Sequence, residues 1–85
     1  MKTFDYEVKE TLGLHARPAQ QLSVFAKSCR SSIRISNANG QADLRDIITA
    51  MLLDVTQGQT VRFEVEGIDE DTATEKLREH VERLL

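Results

Sequence analysis

The stretch Val61-Arg62-Phe63-Glu64-Val65-Glu66 alternates apolar and charged side chains without a break. Successive side chains of an extended chain point to opposite faces, so this pattern describes a strand with one buried and one wet face. Three other segments repeat it. Phe4, Tyr6 and Val8 alternate with Asp5, Glu7 and Lys9; Ile33 and Ile35 flank Arg34; Ala42 and Leu44 flank Asp43. Asn39-Gly40, between the second and third, is a hairpin signal. No strand is the near-continuous apolar run that a parallel sheet covered on both faces requires.

Between these strands lie three segments of helical period. The first spans roughly Ala16 to Ser28, with Ala19, Leu22 and Ala26 on one face. The second runs from about Ile47 to Leu53, with Asp46 as its N-cap and Asp54 and Gly58 marking its exit. The third runs from about Glu70 to Leu84, with Asp69 as N-cap and Ala73, Leu77, Val81 and Leu84 turned inward. The order is βαββαβα. Four strands with one apolar face each predict an α+β open-faced β-sandwich: a four-stranded, mainly antiparallel sheet with three helices on one side. Residues 1–85 are read as a single domain, which suits a chain of 85 residues with one modest core.

Net charge is −3 but unevenly spread, with +3 over residues 11–50 and −5 over residues 51–85. That balance argues against a general nucleic-acid binder. A single cysteine, Cys29, allows no internal disulfide, and no signal sequence or membrane-length apolar run is visible. A cytoplasmic monomer that does not insert into a membrane is the expectation.

The residues that carry chemistry are Gly13-Leu14-His15-Ala16-Arg17-Pro18-Ala19. His15 stands where the first helix starts. A helix start presents unpaired N–H groups and partial positive charge, which favours a bound anion. It disfavours a cation there by about 0.3–1 kcal/mol, which suits the neutral, nucleophilic form of the ring. A phosphoryl group on His15 would be a dianion able to accept the N–H groups of Ala16 and Arg17. The Arg17 guanidinium adds a planar fork matched to phosphate oxygens. Pro18 falls in the first turn, where its missing N–H costs nothing. The combination suits a phosphohistidine.

This heptapeptide resembles the active-site signature of the HPr family, the histidine-containing phosphocarriers of the bacterial phosphoenolpyruvate-dependent phosphotransferase system. The resemblance extends over the whole chain: its length, its βαββαβα order, and the turns Thr56-Gln57-Gly58 and Glu66-Gly67-Ile68-Asp69-Glu70-Asp71. It implies that His15 accepts a phosphoryl group on its δ nitrogen from phosphorylated enzyme I and passes it to the IIA domain of a sugar permease, with Arg17 as supporting cation. It implies a stoichiometric carrier, not an enzyme with its own turnover, and no cofactor. It also implies docking on the first two helices.

The second helix supports docking independently, because six of the eight residues Asp46–Leu53 are apolar. Ala50 and Leu53 are expected to face the core. Ile47, Ile48 and Met51 then form an apolar patch available to a partner, joined by Gln20, Gln21, Val24 and Lys27 of the first helix.

Asp46 departs from the family pattern, since many relatives carry a serine there that a kinase phosphorylates. An aspartate cannot take that modification. It is either a helix cap or a permanent imitation of phosphoserine. Leu52-Leu53-Asp54 resembles nitrogen-branch paralogues more than the sugar branch, which leaves a regulatory or nitrogen-type binding module as the alternative function and regulatory proteins as further partners. A small hydrolase using His15 and Arg17 ranks last, because no water-positioning group is apparent. His80 reads as a surface or boundary residue and Cys29 as an inert thiol. Two histidines 65 residues apart and one cysteine make no metal site.

Overall fold

A sheet that is apolar on one side only must place all of its covering helices on that side, and this chain does so. The computed structural model describes residues 1–85. Its elements are β1 (Lys2–Glu7), α1 (Ala16–Ser28), β2 (Ser32–Asn37), β3 (Gly40–Asp43), α2 (Ile47–Met51), β4 (Thr60–Glu66) and α3 (Glu70–Leu84). The sheet order is β1-β4-β2-β3, and every pairing is antiparallel rather than mainly so.

Register shows how the alternation is used. Phe4 pairs with Phe63, Phe63 with Ile35 and Ile35 with Ala42, one row across all four strands on the covered face. All four are buried, and Phe63 and Ile35 are at 0% exposure. The Phe4 and Phe63 rings stack with centroids 5.1 Å apart. The neighbouring row on the open face reads Thr3, Glu64, Arg34, Asp43, which pairs opposite charges across strands. Arg62 lies opposite Asp5 and binds it, Nε to Oδ1, at 2.9 Å.

Against the covered face, α1 brings Ala19, Leu22 and Ala26 and α3 brings Ala73, Leu77 and Val81, all buried as the helical period predicts. Leu84 is only partly buried and the core position falls to Leu85 instead. Three buried polar side chains escaped the periodicity, and each has a partner. The hydroxyl of Ser23 donates to the carbonyl of Arg45 at 2.8 Å, that of Thr74 to Glu70 at 2.6 Å, and that of Ser31 to the Asp69 carboxylate.

Three local expectations are corrected. First, α2 ends at Met51, two residues early. Leu53 and Asp54 donate to the carbonyls three residues back, Ala50 at 3.2 Å and Met51 at 3.1 Å. This tighter turn carries Leu53 into the core and leaves Asp54 at φ +52°. Second, the hairpin residues are Ala38-Asn39, since Asn37 pairs with Gly40. Neither turn residue has positive φ; Gly40, at φ +144°, supplies the unusual backbone as β3 begins. Third, Asp69 does not cap α3 with its side chain. Its carboxylate accepts from the Arg30 amide at 3.1 Å and from the Ser31 hydroxyl, tying the start of α3 to the chain leading into β2. Glu70 Oε1 reaches back to the amide of Gly67 at 3.2 Å.

Two outcomes are expected. Gly13 has φ +65°, and an added Cβ would lie 2.1 Å from the carbonyl oxygen of Val55. Gly13→Ala therefore lowers the unfolding free energy by more than about 1 kcal/mol, read as a fall in urea midpoint. The second concerns acid. Hydrogen bonds from Arg62 hold the Asp5 carboxyl low, and those from Arg45 hold Asp43 low. A carboxylate depressed in the folded state stabilises fully above its unfolded value and loses that contribution as pH falls through the folded one. The urea midpoint is expected to fall as pH drops through and below 3.8, the ordinary aspartate value. Arg45→Gln/Arg62→Gln shows a shallower fall, because each carboxyl then loses the side-chain hydrogen bonds that depress it most.

Candidate functional site

The chain before α1 is pinned from two sides. Leu14 is buried, its amide donates to Val55 at 3.0 Å, and the Gly13 amide donates to Glu10 at 2.9 Å. Gly13 lies directly against the Val55–Thr56 backbone, which only a residue without Cβ can do. The turn before β4 therefore sets where α1 begins.

At that point His15 is the N-cap residue, extended at φ −93° and ψ −177°, with its carbonyl accepting from the Ala19 amide at 3.0 Å. Its ring is partly exposed and makes no cap hydrogen bond. The first turn can be accounted for amide by amide. Ala19 is satisfied by His15, Pro18 has no N–H, and the amides of Ala16 and Arg17 have no partner within the chain. No acidic side chain occupies this turn. Two adjacent donors, the positive end of a thirteen-residue helix and no resident anion thus sit beside an imidazole with no backbone partner. Arg17 is exposed and forms no ion pair or hydrogen bond, so its guanidinium is unengaged.

The expected docking residues divide into two groups. Lys27 lines a shallow concavity with Asp43, Arg45, Asp46, Ile47 and Ile48, between α1 and α2. Gln20, Gln21 and Val24 line another with His80 and Arg83, between α1 and α3. Gln20, Gln21, Val24, Lys27, Ile48 and Met51 are exposed, with Ile48 at 73%. Ile47 is not: it is half-buried and packs on the core from the first position of α2. Two leucines outside the expected set are also exposed, Leu52 at 76% and Leu12 at 70%. The signal for Leu52 was its place beside Leu53; a helix that stops at Met51 turns only one of the two inward. Leu12 carried no such signal.

Asp46 caps α2 as expected. Its Oδ1 accepts from the Thr49 amide at 3.2 Å and its Oδ2 from the Thr49 hydroxyl at 2.7 Å. These two bonds, hydroxyl first, hold its carboxyl below the usual aspartate range.

His80 packs on the Phe25 ring at 4.6 Å between centroids and accepts from Arg83 Nη2 on Nδ1 at 2.9 Å, the boundary role expected of it. Burial pushes the half-buried Cys29 thiol up, with the Asp69 charge adding to the effect. No three His, Cys, Asp or Glu side chains converge to hold a metal ion, and no helix is long and apolar enough to cross a membrane.

The concavity on the open sheet face, lined by Ser32, Arg34, Asp43, Glu64 and Glu66 among others, includes none of the residues around His15.

Known proteins match this arrangement along nearly its full length. The family model described as PTS HPr component phosphorylation site matches residues 2–83. The phosphocarrier protein HPr of Lysinibacillus sphaericus is 42% identical over 77 residues, covering 91% of this chain and 88% of that protein. The phosphocarrier protein NPr of Proteus mirabilis is 32% identical over 71 residues, covering 82% and 79%. Among solved structures, HPr-C-His from Thermoanaerobacter tengcongensis superposes with a TM-score of 0.90 at 35% identity over 96% of this chain and 92% of that one. Crh, the Bacillus subtilis catabolite repression protein, gives 0.77 at 30% identity over 94% and 92%. With a four-stranded open sheet under three helices and this histidine at the head of the first, the chain belongs to the HPr family of phosphocarriers of the phosphotransferase system.

Proposed function

We propose that residues 1–85 form one phosphocarrier domain whose His15 takes a phosphoryl group from phosphorylated enzyme I and gives it to the IIA domain of a sugar permease. The observation that carries this reading is the pair of unpartnered amides, Ala16 and Arg17, at the start of α1 beside an imidazole that makes no cap bond. Transfer of this kind depends mainly on positioning and on stabilising charge. Neutral imidazole nitrogen attacks in line, the N–P bond forms as the donor's bond to phosphorus breaks, and the three phosphoryl oxygens keep their charge throughout. The two amides meet one part of that charge and the Arg17 guanidinium another. The donors are already oriented by the helix, so little reorganisation accompanies transfer.

A carrier must also release each partner quickly, which calls for a small interface. Val24, Ile48 and Met51 supply apolar contact and Gln20, Gln21 and Lys27 a polar border. The domain is read as a cytoplasmic monomer that turns over only in a relay, without nucleic-acid partners and without inserting into a membrane itself.

A second reading is a nitrogen-branch or regulatory paralogue acting through partner binding. The observation that favours it is similarity to NPr and Crh, together with Leu52-Leu53-Asp54, which resembles the nitrogen branch. An aspartate that caps its own helix also removes the serine on which kinase control depends, so no phosphorylation is expected at residue 46.

Incubation with phosphoenolpyruvate and enzyme I, followed by intact mass measurement, is expected to show one acid-labile phosphoryl adduct that is absent in His15→Ala. No adduct on the wild type would favour the regulatory reading, and continuous phosphate release without an acceptor would favour a hydrolase. Ile48→Asp and Met51→Asp are each expected to raise the KM for this chain in enzyme I phosphorylation about tenfold, about 1.4 kcal/mol. Each should change the unfolding free energy by less than about 0.5 kcal/mol, as for other surface substitutions. Loss of the fold in Met51→Asp would place that side chain in the core instead.

A further inference from the structure

The β2–β3 hairpin does more than reverse the chain. The carbonyl of Leu53, just beyond α2, accepts from Asn37 Nδ2 at 2.9 Å and from Asn39 Nδ2 at 2.8 Å. A carbonyl oxygen has two lone pairs, so this one is saturated by two side-chain amides. The second N–H of Asn37 Nδ2 goes to Gln59 Oε1 at 3.2 Å, and Gln59 Nε2 donates to the carbonyl of Asp54 at 3.4 Å. Asn37 Oδ1 in turn accepts from the Asn39 amide at 2.9 Å, which orients the pair. Three side chains from β2, the hairpin turn and the lead into β4 therefore converge on the two carbonyls that end the α2 segment.

The segment they hold is short of other support. Five residues are far too few for a helix to persist on local bonds alone. Burial would normally hold it, but Ile48 and Leu52 are mostly exposed and only Ala50, Leu53 and half of Ile47 are packed. An element that leaves its apolar side chains to solvent gives up the packing that fixes orientation. With so little packing, the direction of α2 depends also on its ends. Asp46 and Thr49 hold the first; the asparagine clamp on Leu53 holds the second.

We propose that Asn37 and Asn39 are positioning residues for phosphoryl transfer: without touching the phosphoryl group, they set the pose in which α2 presents Ile48, Met51 and Leu52 to a protein partner. This rests on the docking reading above. It also gives Asn39 a reason beyond turn geometry, since its φ is not positive and an asparagine is not needed there for the backbone.

The test compares wild type with Asn39→Ala and with Asn37→Ser/Asn39→Ala. Serine keeps an acceptor for the residue 39 amide and cannot reach Leu53. Amide exchange at Leu52, Leu53 and Asp54 is expected to rise severalfold in the single variant and about tenfold in the double, while Val61, Phe63 and Val65 stay within about twofold. In phosphorylation by enzyme I, the double variant is expected to raise KM about fivefold with kcat within about twofold. Unchanged exchange at residues 52–54, or raised exchange with unchanged KM, overturns the clamp. Should the double variant lose its fold, the exposed Asn39→Ala decides by the same two readings. If the wild type itself accepts no phosphoryl group, the functional reading fails and the docking role with it. That outcome is distinct from a wild type that transfers normally beside a variant with unaltered KM.

Discussion

Burial on one side only is the constraint from which the rest of the molecule follows. The row Phe4, Phe63, Ile35, Ala42 crosses all four strands on the same face, and the row beside it is polar. Every helix must therefore lie over the first row. With the face fixed, α1 is flanked by α2 and α3, and its start is held against the turn that leads into β4. The candidate site is a by-product of that layering. The amides of Ala16 and Arg17 are free because the first N–H groups of a helix have no carbonyl a turn earlier to meet, and no other group of the chain accepts them.

Rigidity is distributed to match. The backbone around His15 is tied through Leu14 to the core and through Gly13 to Val55, so the imidazole and the two amides share one frame. Arg17 is left unpaired while other arginines are engaged, Arg62 with Asp5 and Arg45 with Asp43. An arginine already bound to a carboxylate would have to surrender that partner to meet a phosphoryl group; Arg17 has none to surrender. The exposed apolar patch of α2 follows a different rule. It is apolar and wet, so it cannot hold itself by burial, and polar contacts at both ends of α2 hold it instead.

Where the reading from residues alone fell short, the cause was either a turn tighter than the pattern announced or a contact distant along the chain. Leu52 and Leu53 are identical side chains in adjacent positions, and one is at 76% exposure while the other is at 5%. Only the tight turn after Met51 separates them. Ile47 was expected in solvent because helical spacing allowed it, but the core extends far enough to cover half of it. Asp69 stands at the N-cap of α3 as expected, but its carboxylate bonds Arg30 and Ser31, nearly forty residues earlier in the chain, instead of the helix amides. Asn39-Gly40 announced a hairpin correctly, yet the turn is shifted by one residue because Asn37 pairs with Gly40.

Alternation of apolar and charged residues determined the strands, their buried faces and hence the layer architecture, because side-chain direction in an extended chain is a local property. The motif around His15 likewise determined where an anion would be welcome, since a helix start exposes its amides whatever lies elsewhere. Tertiary structure alone decided which apolar residues of α2 reach water, which carboxylates cap and which bridge, and that two hairpin asparagines meet the carbonyl of Leu53. Those outcomes depend on contacts between segments distant along the chain, whose geometry no local pattern encodes.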